Sequence, residues 1–358
     1  MTAMGTGIFR KTSHPVYDPS IAWQEQIVTE ITRRVGAVPV LLIGSRAVGT
    51  ARADSDYDVA VVMPLLRIPR AVSRLAVAAD RLTAQLGAPV SVNPVPSFRM
   101  RRPGGSLFAG KLRAEGRVLA APRDWSLRPR PLTRVTAFAA SSILLTAVQN
   151  LLGAFDTAAM RRETVSPRAR DALRKAALHV AQVRLLRSGR YASDLETALA
   201  RLTSTPSSRT GDVSGAELAR ALRSGVEAAD PVDGFLRLRR CILGQLAEVT
   251  DAPLSMHRGR SLVRNSQYAV LAMLRGRNRW RVALRLTAVE AALAAAQIGL
   301  LRALAPDAAG GFDATQFRLA VETLPPPLGA AGVRSWEDAR DLALTEWSDA
   351  HPLVGVLA

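Results

Sequence analysis

The sequence predicts an α/β domain, built as a mixed sheet with flanking helices, followed by an all-α domain. Three observations carry that expectation. Helix and strand periodicities alternate over the first third of the 358 residues. A stretch rich in proline and arginine, Pro122 to Pro131, then interrupts them. Beyond it strand patterns cease while helix-start signals recur. The domains are therefore set at residues 1–125 and 126–358.

In the first domain Ile27, Ile31 and Val35 recur at four-residue spacing, which gives one apolar face to a helix from Gln24 to Gly36. Pro39 to Ile43 is a short continuous apolar run of strand type, ended by a turn at Gly44 and Ser45. Tyr57 to Met63 reads as a second strand and Ile68 to Leu86 as a helix. Pro89 to Val95 alternates apolar with polar side chains and reads as a third strand. Its prolines, Pro89 and Pro94, confine it to a short stretch or a sheet edge because proline has no N–H for the ladder. After a loop from Arg99 to Gly105, Leu107 to Glu115 reads as a helix and Gly116 to Ala121 as a last short strand.

In the second domain the pairs Ser193 with Glu196, Ser214 with Glu217, and Ser335 with Asp338 fit the capping-box spacing, in which hydroxyl and acid satisfy end N–H groups reciprocally. Thr203 to Gly215 and Ala305 to Gly311 read as loops. The segment Val135 to Phe155 carries no charge and is long enough to span a bilayer. Thr136, Ser141, Ser142, Thr146, Gln149 and Asn150 make it only moderately apolar, so a helix buried in its own domain is expected, with no membrane span.

Composition bounds the function. With 48% hydrophobic and 22% charged residues the chain is globular and can bury a sizeable core, which excludes a disordered tail or a disulfide-stapled miniprotein. A single cysteine, Cys241, and four scattered histidines exclude a disulfide framework and a structural zinc site. Asp18, Gln24 and Glu25 interrupt any apolar core of a signal peptide, so a cytoplasmic location is expected. The 48 basic residues exceed the 30 acidic ones by 18, which favours anionic partners. All but three of the basic residues are arginine; beside so much alanine, glycine and proline this fits a GC-rich coding bias as well as guanidinium chemistry.

Residues 41–62 carry the chemistry. An apolar strand that ends at Gly44 and Ser45 lets the chain turn tightly and point backbone N–H groups and a hydroxyl outward, as a phosphate requires. About a dozen residues on, the next strand opens with Asp56 and Asp58, and strand alternation puts side chains two apart on one face. Two adjacent carboxylates repel unless a cation neutralises them, and oxygen ligands favour Mg²⁺ or Mn²⁺ held jointly with substrate phosphates. Other glycine-rich nucleotide motifs are absent from the sequence. An ordinary strand-turn-strand with a solvated Asp-Ser-Asp turn leaves this joint placement unexplained.

Gly44-Ser45, Gly49-Thr50 and Ser55-Asp56-Tyr57-Asp58, followed by Val59-Ala60-Val61-Val62, resemble the signature of the polymerase-β-like nucleotidyltransferase superfamily. The match is dense over about twenty residues and extends over residues 24–121. The resemblance implies a nucleotidyltransferase domain with a helical accessory domain that grips the acceptor. It makes Gly44 and Ser45 the triphosphate-binding turn, with Gly49, Thr50 and Ser55 around it and Arg46 beside the phosphates. Asp56 and Asp58 become the metal ligands and catalytic carboxylates, in a two-metal arrangement that activates an acceptor hydroxyl and stabilises the pyrophosphate leaving group. The donor is an NTP, ATP among the candidates.

One departure bears on catalysis. The family places a third carboxylate on a later strand; here that strand offers Ser91 and Asn93, and neither is a base at neutral pH. The base then comes from Asp80, Glu115 or Asp124, or from the helical domain, or activity is weak or absent. Arg258, Arg260, Arg264, Arg275, Arg277, Arg279, Arg281 and Arg285, with Tyr268 and Trp280 among them and no acid, form a stretch suited either to RNA phosphates and bases or to a solvated helix face. Phe98 to Arg102 adds to the basic footprint, and His179, on an apolar helical pattern, reads as structural. The expected acceptor is RNA. The alternatives are a small molecule such as an antibiotic or metabolite, a cyclic oligonucleotide product, or a catalytically degenerate nucleotide- or RNA-binding module.

Overall fold

The computed structural model describes residues 20–49, 51, 55–97, 100, 107–123, 125, 137–205, 213–249, 280–305, 311–324 and 333–350. Two compact units divide the chain, one within residues 1–133 and the other within 134–353.

The first unit runs α1 (Ser20–Val35), β1 (Val40–Ile43), α2 (Ser45–Val48), β2 (Tyr57–Met63), a 3₁₀ turn (Leu65–Arg67), α3 (Ile68–Leu86), β3 (Val90–Pro96), α4 (Leu107–Ala114) and β4 (Arg117–Ala120). The strands form one small mixed sheet in the order β3-β2-β1-β4. β1 is antiparallel to both β2 and β4, whereas β2 and β3 are parallel, with α3 as the crossover that parallel neighbours need. β3 lies at the edge, where Pro94 and Pro96 cost the sheet least.

Both faces of the sheet are covered. Val40, Leu42, Val59 and Val61 pack with Ile27 and Ile31 of α1 and with Leu75 and Leu82 of α3. Leu41, Ile43, Ala60 and Val62 pack on the other face with Val95 and Leu112 of α4. That is why β1 reads as an unbroken apolar run rather than an alternating one. Each such large side chain contributes roughly 1.5–3 kcal/mol by leaving water. Helix α1 begins one turn earlier than its Ile27, Ile31, Val35 stripe predicts, because Trp23 extends the stripe and packs on Tyr57 with ring centroids 5.2 Å apart. Thr83 joins the end of α3 to β3: its carbonyl accepts the N–H of Gly87, at φ 65°, and its Oγ1 accepts the N–H of Val90.

The second unit is a helical assembly of α5 (Ala137–Ala154), α6 (Thr157–Met160), α7 (Arg168–Arg187), α8 (Leu195–Thr203), α9 (Gly215–Val226), α10 (Pro231–Val249), α11 (Trp280–Ala303), α12 (Ala314–Glu322) and α13 (Trp336–Ala350). Among its described residues the one β pairing is an isolated bridge between Leu304 and Phe312. The uncharged segment becomes α5, whose Leu144, Val148, Leu151 and Leu152 are fully buried. Its polar groups are satisfied locally and by neighbours: Asn150 Nδ2 donates to the Thr146 carbonyl, and Gln149 Nε2 donates to Gln297 Oε1, whose own amide donates to the carbonyl of Ala343. Asn150 also lies 3.4 Å from Nδ1 of His179, in a packed helical setting. Among the described residues no helix is long and apolar enough to cross a membrane.

Two of the three expected capping boxes form as paired. Ser214 and Glu217 bond reciprocally at the start of α9, and Ser335 and Asp338 do so at α13. At α8 the cap is Asp194, not Ser193: the carboxylate accepts the Thr197 N–H at 2.8 Å, while the Ser193 hydroxyl merely reaches Asp194. A full negative charge at a helix N-terminus outcompetes a neutral hydroxyl one residue earlier.

The Thr197 amide holds the Asp194 carboxyl below its ordinary range against the opposing effect of burial. Asp194→Ala is therefore expected to lower stability by about 1 kcal/mol and Ser193→Ala by less than half of that, read from urea midpoints. Because the folded-state pKa lies below the unfolded one, the Asp194 contribution is complete above about pH 4 and is lost as pH falls through the folded value. The difference between the Asp194→Ala and parent midpoints should shrink accordingly in acid.

Candidate active site

Strand directions bring the candidate residues to one end of the first unit's sheet. The C-terminal end of β1 meets the N-terminal ends of β2 and β4, and the parallel pairing sets the start of β3 beside that of β2. Ile43 lies opposite Asp58 on β2, and Asp58 lies beside Ser91 on β3. The turn after β1, the two acids and the polar start of β3 thus share a sheet edge.

Gly44 forms the turn. Its backbone sits at φ 77°, ψ −159°, a region essentially closed to residues with a Cβ. A Cβ there would stand 3.0 Å from Oδ2 of Asp58, so the glycine serves both the turn and the carboxylate's approach. Ser45 to Val48 then make the single turn of α2, with the N–H groups of Ala47 and Val48 returned to the Gly44 carbonyl. Gly49 ends it in the left-handed conformation. Thr50 lies outside the described residues.

Asp58 is half-buried and Asp56 exposed. Asp56 stands just before β2 rather than in it, since the strand begins at Tyr57. The Ser91 hydroxyl donates to Oδ1 of Asp58 at 2.6 Å, and Asn93 Nδ2 donates to the Ser91 oxygen at 3.3 Å. The two residues expected at the third-acid position thus form a neutral hydrogen-bond chain ending on Asp58.

Arg46 has a structural task. Its Nε and one terminal nitrogen donate to the Ser55 carbonyl at 3.0 and 2.6 Å, and its guanidinium carbon lies 3.8 Å from the centroid of the Tyr57 ring. Tyr57 is itself stacked on Trp23. Arg46 therefore ties the turn after β1 to the residues that carry Asp56 and Asp58. Strand alternation signals that Tyr57 faces away from Asp58; its pairing with Trp23 and Arg46 is a long-range contact that leaves no local pattern.

Of the carboxylates considered as the missing base, Asp80 is exposed on α3, which packs on the sheet face opposite Asp58. Glu115 is buried in the turn between α4 and β4, with β1 between it and β2. Asp124 lies outside the described residues. So do residues 258–279 of the arginine stretch, as well as Phe98, Arg99, Arg101 and Arg102 of the basic loop; Arg281 and Arg285 fall in the first part of α11, residues 280–291, of which only the backbone is described. Among the described residues no group of three His, Cys, Asp or Glu is placed to hold a metal ion. Two carboxylates and a hydroxyl suit a Mg²⁺ or Mn²⁺ ion that takes its remaining ligands from phosphates and water, and do not amount to an all-protein cage. No protein-family model, curated protein or solved structure matches this chain.

Gly44→Ala should destabilise the protein by roughly 1–3 kcal/mol. Gly49→Ala, also at positive φ but with nothing within 4 Å of its added carbon, should cost less. Comparing their urea midpoints checks this; equal losses would mean that the Asp58 carboxylate does not confine residue 44.

Proposed function

We propose that the chain is a metal-dependent nucleotidyltransferase of the polymerase-β-like type, moving a nucleoside monophosphate from an NTP such as ATP to an acceptor hydroxyl with release of pyrophosphate. The observation that carries the reading is the close approach of the Gly44 turn to the Asp58 carboxylate, with Asp56 two residues away at the same sheet edge. In this reading Gly44 and Ser45 receive the triphosphate, Asp56 and Asp58 hold the cation, and Arg46 keeps the two segments in register through the Ser55 carbonyl. When bound, Mg²⁺ or Mn²⁺ supplies charge neutralisation on the phosphates.

The attacking hydroxyl oxygen forms a bond to the α-phosphorus while the bond to the bridging oxygen breaks, and pyrophosphate leaves with that electron pair. Neither Ser91 nor Asn93 can take the hydroxyl proton, which in this reading passes to solvent. The acceptor we favour is RNA, because the sequence's excess of 18 positive charges suits a polyanion. A small-molecule acceptor is the alternative.

The Ser91 to Asp58 hydrogen bond supports a second reading, a nucleotide-binding module without transfer activity, because a neutral hydroxyl occupies the place of an acid. Incubation with each labelled NTP, Mg²⁺ and either total RNA or a metabolite extract separates the readings. Transfer predicts pyrophosphate release and label in one acceptor pool, both abolished by Asp56→Ala with Asp58→Ala. Nucleotide binding without label in either pool would favour the module, and release that survives the double substitution would overturn the site.

A further inference from the structure

A second surface lies at the other end of the sheet, where β2 finishes and α3 begins. There a groove of about 210 Å³ opens between the end of α1 and the start of α3. Its floor is aliphatic, with Val35, Val38 and Met63. Arg67, Arg70 and Arg74 rim it at the i, i+3, i+7 spacing of one helix face. All three are exposed, and none of their guanidinium groups has a hydrogen-bond or ion-pair partner among the described residues. This contrasts with the next part of the same helix, where Arg81 reaches Glu30, itself paired with Arg33 and Arg34.

The apolar groups on this face are unusual too. Leu66, which also lines the groove, is 60% exposed, and Val77 is 48% exposed. Leu66 of the 3₁₀ turn and Arg70, Arg74 and Val77 of α3 follow each other at helical spacing, so two cationic side chains lie between two large apolar ones. Three like charges held within two helical turns repel one another unless an anion joins them. A bare phosphate backbone would satisfy the guanidinium groups but leave Leu66, Val77 and the aliphatic floor in water. Among the described residues no aromatic side chain lines the groove to stack a base. An acidic peptide with an apolar face meets both demands: its carboxylates pair with the arginine forks and its apolar side chains enter the groove.

We propose that the groove at the start of α3 docks an acidic amphipathic segment of a protein partner. The surface is separate from the Gly44 and Asp58 edge, so the proposal stands whether or not the chain transfers nucleotides.

The test uses the full chain and a fluorescent synthetic helical peptide with leucine at every third or fourth position and glutamate between, followed by anisotropy at low salt. Binding should weaken at least about tenfold in Arg70→Glu with Arg74→Glu, and several-fold in Leu66→Ser with Val77→Ser. A peptide with glutamine replacing leucine should bind poorly. Arg174→Glu with Arg318→Glu makes the same change in net charge at exposed sites on the helical unit and should leave binding unchanged. The proposal is overturned if that control weakens binding as much as the groove variant. It is equally overturned if the glutamine peptide binds as well as the leucine one, or if an oligouridine competes as effectively as unlabelled peptide, which would make the surface a general polyanion or RNA contact.

Discussion

A carboxylate that is half-buried between strands must be met by hydrogen bonds, by a cation or by backbone that yields room, because burial otherwise favours its neutral form. Asp58 is in that position, and much of the first unit's edge is arranged around it. β1 is followed by Gly44, where any Cβ would press on Oδ2. β3 offers a hydroxyl to Oδ1 at the adjoining register position. In the proposed function a divalent cation offsets the charge further, and exposed Asp56 two residues away offers a second ligand for one. The phosphate turn and the metal site of the proposed function thus share a single electrostatic requirement.

How much of this was legible in the sequence depends on the range of the interaction. β2 and α3 carry strong local periodicity, and the structure begins and ends them where the pattern does. Gly44 stands out locally because an apolar strand stops there. The Ser91 to Asp58 bond depends on a parallel register between strands separated by a 19-residue helix, which no local pattern encodes. Arg46 looks like a phosphate ligand from its neighbours in sequence; its bond to Ser55, nine residues on, is a contact that no local pattern encodes. Ser193 shows the limit of spacing rules: it fits the capping box with Glu196, yet the charged Asp194 beside it takes the cap.

The net charge acquires a finer meaning once residues are placed. Several arginines have internal partners: Arg33 shares the Glu30 carboxylate, while Arg46 bonds the neutral Ser55 carbonyl and keeps its charge uncompensated by that bond. Arg67, Arg70 and Arg74 are different, being exposed, grouped beside apolar side chains and without a side-chain ion pair among the described residues. The excess of positive charge is therefore not one property. Part of it meets internal carboxylates, as at Glu30, and part marks a surface at the far end of the sheet.

The central claim is that Gly44, Asp56 and Asp58 form one site for a metal-bound triphosphate. A crystal structure with a non-hydrolysable NTP analogue and Mn²⁺ tests it most directly, because anomalous scattering locates the ion independently of the protein atoms. The account predicts the triphosphate against the Gly44 and Ser45 turn, with the ion about 2.0–2.2 Å from carboxylate oxygens of Asp56 and Asp58. A nucleotide bound elsewhere on the chain, or an ion held by other side chains, would contradict it.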